Sequence, residues 1–382
     1  MGLTGSLALL VVVQLSLAQG TSSNAASLGA APKSLVQSVS PTRQLTSTPW
    51  TLRIGPQRPD LVRYNRVEAL SLGVRAQVRP GTPIGPLSFS GTARFGLGDK
   101  HPNGRLEIVH ESLDRRIALS GYHELAAIDE RARHFGVANS LTGLLWGHDD
   151  GDYYRRSGAT LEWTPPTFRP RTVRYRAFAE YHERVENGTD VQLPRLWDES
   201  ASFRPNILAY EGWMYGASME WTARFGTDPG RTSGGGQTLL EFAEGGSSYL
   251  RYSVGADVAF ALPARMRLVF ETEAGSSEGA PAQKLWYLGG PLTMRGYSPR
   301  AAGGESFGRG RVELDRSFSF GRLVLFSDVG WAGDGSDIDL DTALYSVGAG
   351  LAVIDGILRI DGAWQLKSLH RFRLDVYLDQ LL

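Results

Sequence analysis

The chain has 382 residues, enough for one large domain or two ordinary ones, and its 42% hydrophobic and 21% charged residues fit neither a disordered chain nor a bundle of membrane helices. A formal net charge of zero gives no bulk attraction to nucleic acid, and the absence of cysteine excludes a disulfide framework, a thiolate metal site and a lipidated N-terminal cysteine. Forty-six glycines, nine tryptophans and fourteen tyrosines suit strands, tight turns and interfacial aromatics.

Residues 1–18 read as a signal peptide. Residues 7–13 form an uninterrupted apolar core, and Ser16 and Ala18 are small enough for cleavage after Ala18. The apolar run is too short to span a bilayer. Residues 19–46, rich in Ser, Ala, Thr and Pro without periodicity, read as a flexible linker. No later segment approaches the ~18 consecutive apolar residues of a membrane helix. A membrane-embedded chain of this kind has to be a closed barrel, because only helices and closed sheets satisfy their backbone groups in lipid.

From there on the signal is period-two alternation. Trp50, Leu52 and Ile54 alternate with Thr51 and Arg53; Leu70, Leu72, Val74 and Val78 alternate with Ser71, Gly73, Arg75 and Gln77. The pattern continues in strands near 87–97, 104–111, 116–126, 153–164, 171–184, 209–225, 237–243, 247–262 and 264–275. Five more follow near 309–318, 322–331, 342–353, 356–367 and 370–379. With the strand near 66–78 this makes fifteen. Bacterial single-chain barrels use an even number, so the segment 47–54 is expected to supply the sixteenth. The strands are long for a soluble sheet, and a tilted strand needs ~9–11 residues to cross a bilayer. Charged residues such as Arg265, Arg267, Glu271 and Glu273 recur on one face, as in a polar lumen. The expected fold is all-β: a transmembrane antiparallel β-barrel of about sixteen strands over 47–382. Short turns should fall on the inner side, including Asp355-Gly356, and the long connections 127–152, 185–208 and 276–308 outside. The Gly-rich 226–236 segment is the exception, being long but inner.

The connection 276–308 contains Gly289, Gly290, Arg295, Gly296 and Tyr297, the last three as a contiguous Arg-Gly-Tyr. Two strands later the chain reads Phe326-Ser327-Asp328-Val329-Gly330. These two motifs resemble the signatures of the BamA/TamA-type surface-antigen superfamily of outer-membrane barrels, which includes two-partner secretion. The resemblance is specific over roughly 285–382, with weaker support from Asn65-Arg66-Val67-Glu68. It implies a loop folded into the lumen, with Arg295 paired to an acid on the wall. The residue phase agrees: Leu323, Leu325 and Val329 form the apolar face of their strand, so Asp328 points into the lumen. A guanidinium binds a carboxylate by two prongs, which Lys cannot copy. Glu313, also lumen-facing, is a second candidate partner. Gly289, Gly290 and Gly296 let the loop bend and approach the wall closely. The stretch before residue 47 is too short for the periplasmic polypeptide-binding (POTRA) repeats of the family, so a short member is expected.

Other motifs carry less. Gly304-Glu305-Ser306-Phe307-Gly308 fits a hydrolase pattern that has meaning only at a strand-to-helix elbow, and strand residues follow it here. No catalytic residue is expected. The acidic stretches 148–152 and 334–341 read as solvated outer turns, neither having the spacing of a calcium loop. No metal or other cofactor is implied. Two functions fit: insertion or translocation of polypeptides at the outer membrane, or a passive pore or structural surface antigen without clients. The expected partners are outer-membrane lipids and lipopolysaccharide, and in the first case client polypeptides, around a monomeric barrel.

Overall fold

Alternating apolar and polar residues force the two sets onto opposite faces of a strand, and here the apolar set faces outward. Leu106 is 71% exposed, and Leu119, Val254, Leu325 and Leu374 are exposed with it, while Arg295, Glu180 and Asp361 are buried. Such inversion is stable only where lipid bathes the outside. The computed structural model describes residues 50–378 apart from 55–60, 82–84, 113–114, 130–133, 167–170, 227, 229–230, 336–338 and 354–357. The signal-peptide and linker readings, and the Asp355-Gly356 turn, lie outside the described residues.

In chain order the strands are β1 (Trp50–Ile54), β2 (Val62–Asn65), β3 (Ala69–Val78), β4 (Leu87–Gly96), β5 (Pro102–Glu111), β6 (Arg116–Ala127), β7 (Tyr153–Thr164) and β8 (Arg171–Glu183). There follow β9 (Gly212–Phe225), β10 (Ser233–Gly245), β11 (Tyr249–Leu262), β12 (Met266–Glu278), β13 (Trp286–Leu288) and β14 (Ala302–Gly304). The last are β15 (Ser306–Phe318), β16 (Gly321–Gly333), β17 (Leu344–Val353), β18 (Leu358–Gln365) and β19 (Ser368–Leu378). Among the described residues the one α-helix, α1 (Val137–Trp146), lies in the connection from β6 to β7. Among the described residues no helix is long and apolar enough to cross a membrane.

Each strand from β3 to β12 and from β15 to β19 pairs antiparallel with its neighbour, β12 with β15 directly. Among the described residues that makes fifteen full strands, and the sixteenth place is composite. Both β1 and β2 lie along the same edge of β3. Ile54 stands opposite Val74 and Val62 opposite Leu72, so eight steps on the first strand answer two on β3, an offset of six residues. The expected strand at 47–54 is therefore present from Trp50. The expected strand at 66–78 begins later: 66–68 form a tight turn, left at Ala69 with φ 55°. Among the described residues no ladder joins β19 to β1 or β2.

The long connections 128–152, 184–211 and 279–305 share one end of the sheet, as turn alternation requires. The inner connection that looked too long shrinks to 226–232, because β10 starts at Ser233 and takes in the glycines Gly234–Gly236. On the outward face of β5, Leu106→Arg is expected to cost about 2–4 kcal/mol at mid-membrane depth. The inward Gln237→Arg is expected to be tolerated. The fraction of folded, heat-resistant barrel after refolding into lipid vesicles separates the two.

Candidate functional site

The connection 279–305 folds inward on a small hairpin of β13 and β14. Beyond it the chain makes a compact knot. The Gly290 amide donates to Tyr297 O at 2.8 Å, the Met294 amide donates to Gly290 O at 3.0 Å, and Thr293 Oγ1 both accepts from the Gly289 amide and donates to Gly289 O. Gly289, Gly290 and Gly296 have φ of 133°, 81° and 84°, which L side chains rarely adopt. Trp286, Leu288, Met294, Tyr297 and Phe307 form the apolar core beneath the knot.

The knot presents Arg295, fully buried, to the wall. Arg295 Nε donates to Asp328 Oδ2 at 2.8 Å and Nη2 pairs with Asp328 Oδ1, while the Arg295 amide reaches Oδ2 at 3.1 Å. Nη1 pairs with Glu313 and lies 3.4 Å from Asp361. The guanidinium stacks 3.5 Å above the Phe326 ring. Two wall arginines complete the set: Arg311 Nε donates to Asp328 Oδ1 at 3.1 Å, and Arg359 bonds Glu313 and Asp361. Tyr377 Oη donates to Asp361 Oδ2 at 2.6 Å. Three arginines thus face three carboxylates with no surplus charge, the arrangement in which buried ions are least costly.

The period of two explains the second motif. Phe326, Asp328 and Gly330 all face inward on β16. Phe326 carries the guanidinium, Asp328 receives its fork, and a Cβ on Gly330 would stand 2.9 Å from Leu288 and 3.3 Å from the Met294 sulfur. Gly296 meets β18 as closely: its Cβ would lie 3.1 Å from that of Ala363, and Gln365 Nε2 donates to Gly296 O at 2.8 Å. Tyr297 Oη donates to Tyr345 O at 3.0 Å. Gly296→Ala adds a methyl where both space and a positive φ oppose it, about 1–2 kcal/mol for the backbone alone. Faster protease cleavage near Arg300 in the folded barrel is the expected result.

The structure therefore brings together all nine residues singled out in the sequence. Asp361, Arg311, Arg359 and Tyr377 were missed; their inward phase was the available signal. A second cluster was also missed. Arg66, fully buried in the turn from β2 to β3, donates to Asp149 O at 2.9 Å, Asp152 Oδ1 at 2.9 Å, Asn206 Oδ1 at 3.1 Å and Asn187 Oδ1 at 3.2 Å. Arg204 bonds the same Asp152 at 2.8 Å, and Arg300 reaches it at 3.2 Å. The stretch 148–152 is thus not a solvated turn: Asp149 and Asp152 are buried where four outer connections meet. Beside it Glu68 takes both prongs of Arg63, at 2.7 and 2.9 Å.

Ser306 opens β15, and its hydroxyl partner is Ser276 at 2.9 Å, so no nucleophile elbow exists there. Among the described residues no group of His, Asp and Glu is placed to hold a metal ion. A polar cavity of about 240 Å³ remains in the lumen, lined among others by Arg105, Arg156, Arg176, Glu162 and Glu241.

Outward apolar strands, a charged lumen and a loop pinned inside by one arginine define a membrane β-barrel with an internal plug. Residues 205–369 match the Omp85 superfamily domain. Among solved structures it is similar to BamA from Haemophilus ducreyi lacking POTRA domains 1–3, at 13% identity over 86% of this chain and 68% of that one, with a TM-score of 0.55. CdiB from Escherichia coli (16% identity, 86% of this chain, 62% of that one, TM-score 0.48) and CdiB from Acinetobacter baumannii (11%, 82%, 56%, 0.44) also match. No curated protein matches the chain in sequence.

Proposed function

We propose that this protein is an exported outer-membrane barrel that inserts or translocates client polypeptides without making or breaking a covalent bond. The observation that carries the reading is the seam. The last strand, β19, and the composite first strand share no ladder among the described residues. Unpaired strand edges are templates for another strand. The plug supports the same reading, because it occupies the lumen beside β15 to β18 and narrows the path through it. The residues in charge are Arg295, Gly296 and Tyr297 on the loop, with Asp328, Glu313, Phe326 and Gly330 receiving them. Lipid and lipopolysaccharide surround a single barrel, and no cofactor takes part.

The test uses the whole chain in lipid vesicles. An unfolded outer-membrane barrel added from outside should gain protease resistance faster than with vesicles holding a passive porin. In planar bilayers the intact protein should conduct in brief fluctuations, and a variant lacking 279–305 should conduct steadily. Steady ohmic conductance from the intact protein, with no acceleration of the client, would establish the passive pore instead.

A further inference from the structure

The helix α1 reverses the usual pattern of a surface helix. Residues 135–147 hold no charged side chain. Val137, Leu141 and Leu144, at helical spacing, are exposed, and so is Trp146. The polar positions turn inward: Ser140 Oγ accepts from the Tyr64 amide at 3.0 Å, Asn139 Nδ2 donates to Asp149 at 2.9 Å, and Gly143 is buried against the Tyr64 ring. An apolar face outside and a polar face inside is the pattern of the barrel strands themselves.

Its position matches. α1 packs on β2 and on β19, the two edges without a common ladder. Arg373 of β19 donates to both oxygens of Asp150, just past the helix, at 3.0 and 3.1 Å. A cavity of about 600 Å³ separates Thr142, Trp146 and His148 from the edge of β19 at 371–376. On the far side the helix meets the 3₁₀ turn 193–196, beside which Val191, Leu196 and Trp197 are exposed. The outward Phe372 and Leu374 of β19, which line that cavity with Trp146, are exposed, as are Leu70 and Leu72 of β3, the strand paired with β2.

We propose that α1 is a flap over the seam whose outer face, Val137, Leu141, Leu144 and Trp146, beds among the acyl chains of the membrane. The inference rests on the membrane-barrel reading and adds the element that covers the seam. The flap gives the Tyr64 amide of β2 a polar partner, the residue just past it pairs with the Arg373 side chain of β19, and its apolar side completes the lipid-facing band. A client reaching β19 has to displace it.

The absence of cysteine makes single labels unambiguous. Leu141→Cys and, separately, Leu144→Cys are labelled with bimane in the full chain and reconstituted with phosphatidylcholine brominated on its acyl chains. Leu106→Cys on the outer face of β5 and Gln237→Cys at the lumenal cavity serve as references. Bromine is expected to quench Leu141 and Leu144 to within about two-fold of Leu106, and Gln237 hardly at all. Quenching at Leu106 with none at Leu141 or Leu144, and ready quenching of those two by aqueous iodide, would overturn the flap and leave the barrel intact. No quenching at Leu106 would overturn the membrane reading and the flap with it.

Discussion

Replacing Arg295 by alanine is expected to release the plug from the wall. The substitution leaves Asp328, Glu313 and Asp361 facing only Arg311 and Arg359 at a site with no access to water at the guanidinium. Removing one partner from a buried ion network costs on the order of 3–5 kcal/mol. Faster cleavage of the folded barrel near Arg300 and a lower unfolding temperature are the expected readouts. Asp328→Ala strips the main acceptor from Arg295 and Arg311 together, so it should be comparably harmful. The double variant should fall well short of the sum, because coupled residues are not additive. Additive losses would show that the two side chains act separately. Arg295→Lys keeps the charge but loses the fork and the flat stacking on Phe326. Wild-type behaviour there would mean that a point charge is enough.

Arg66→Ala should produce a comparable effect at the other end of the molecule. Arg66 joins the turn before β3 to Asp149, Asp152, Asn187 and Asn206, residues from two long connections. Its loss takes the guanidinium from the buried Asp149 and leaves the buried Asp152 to Arg204 and Arg300. A local cost of about 3–5 kcal/mol corresponds to two to four powers of ten in the opening equilibrium. Amide hydrogen exchange over 135–152 is expected to accelerate by that order, while β9 to β12 stay unchanged. Arg204→Ala, with a side chain that is 23% exposed, should do less. Unchanged exchange in the first variant would show that the outer connections are held by other contacts.

The strands were legible because lipid and lumen impose a strict period of two, and their ends were found to within a few residues. The β10 strand shows where the signal fades: Gly234, Gly235 and Gly236 pair regularly with β9 but carry no side chain to alternate. The pairing of Arg295 with Asp328 was legible from two short motifs and one phase. The third acid, Asp361, was not, because its strand carries no motif. Asp149 and Asp152 were misread for a deeper reason. A local acidic run looks solvated, and burial came from Arg66, over eighty positions away. The helix α1 escaped notice because a loop is searched for polarity, and its apolar residues serve an outer surface.

The plug also decides where the wall can bend. Arg295 alone reaches β15, β16 and β18 through Glu313, Asp328 and Asp361, and Tyr297 next to it reaches β17 through Tyr345. Four consecutive strands are thereby stapled at one level and cannot roll against each other without breaking ionic bonds. On the other side of the seam the first strand comes in two pieces, offset by six residues, that pair with β3, and β2 is held further by α1 and by the Arg66 turn. The two sides are thus braced differently: β15 to β18 by a plug inside the lumen, β2 and β3 by connections at the outer end. Loss of either set of contacts would loosen one side of the seam and leave the other as it is.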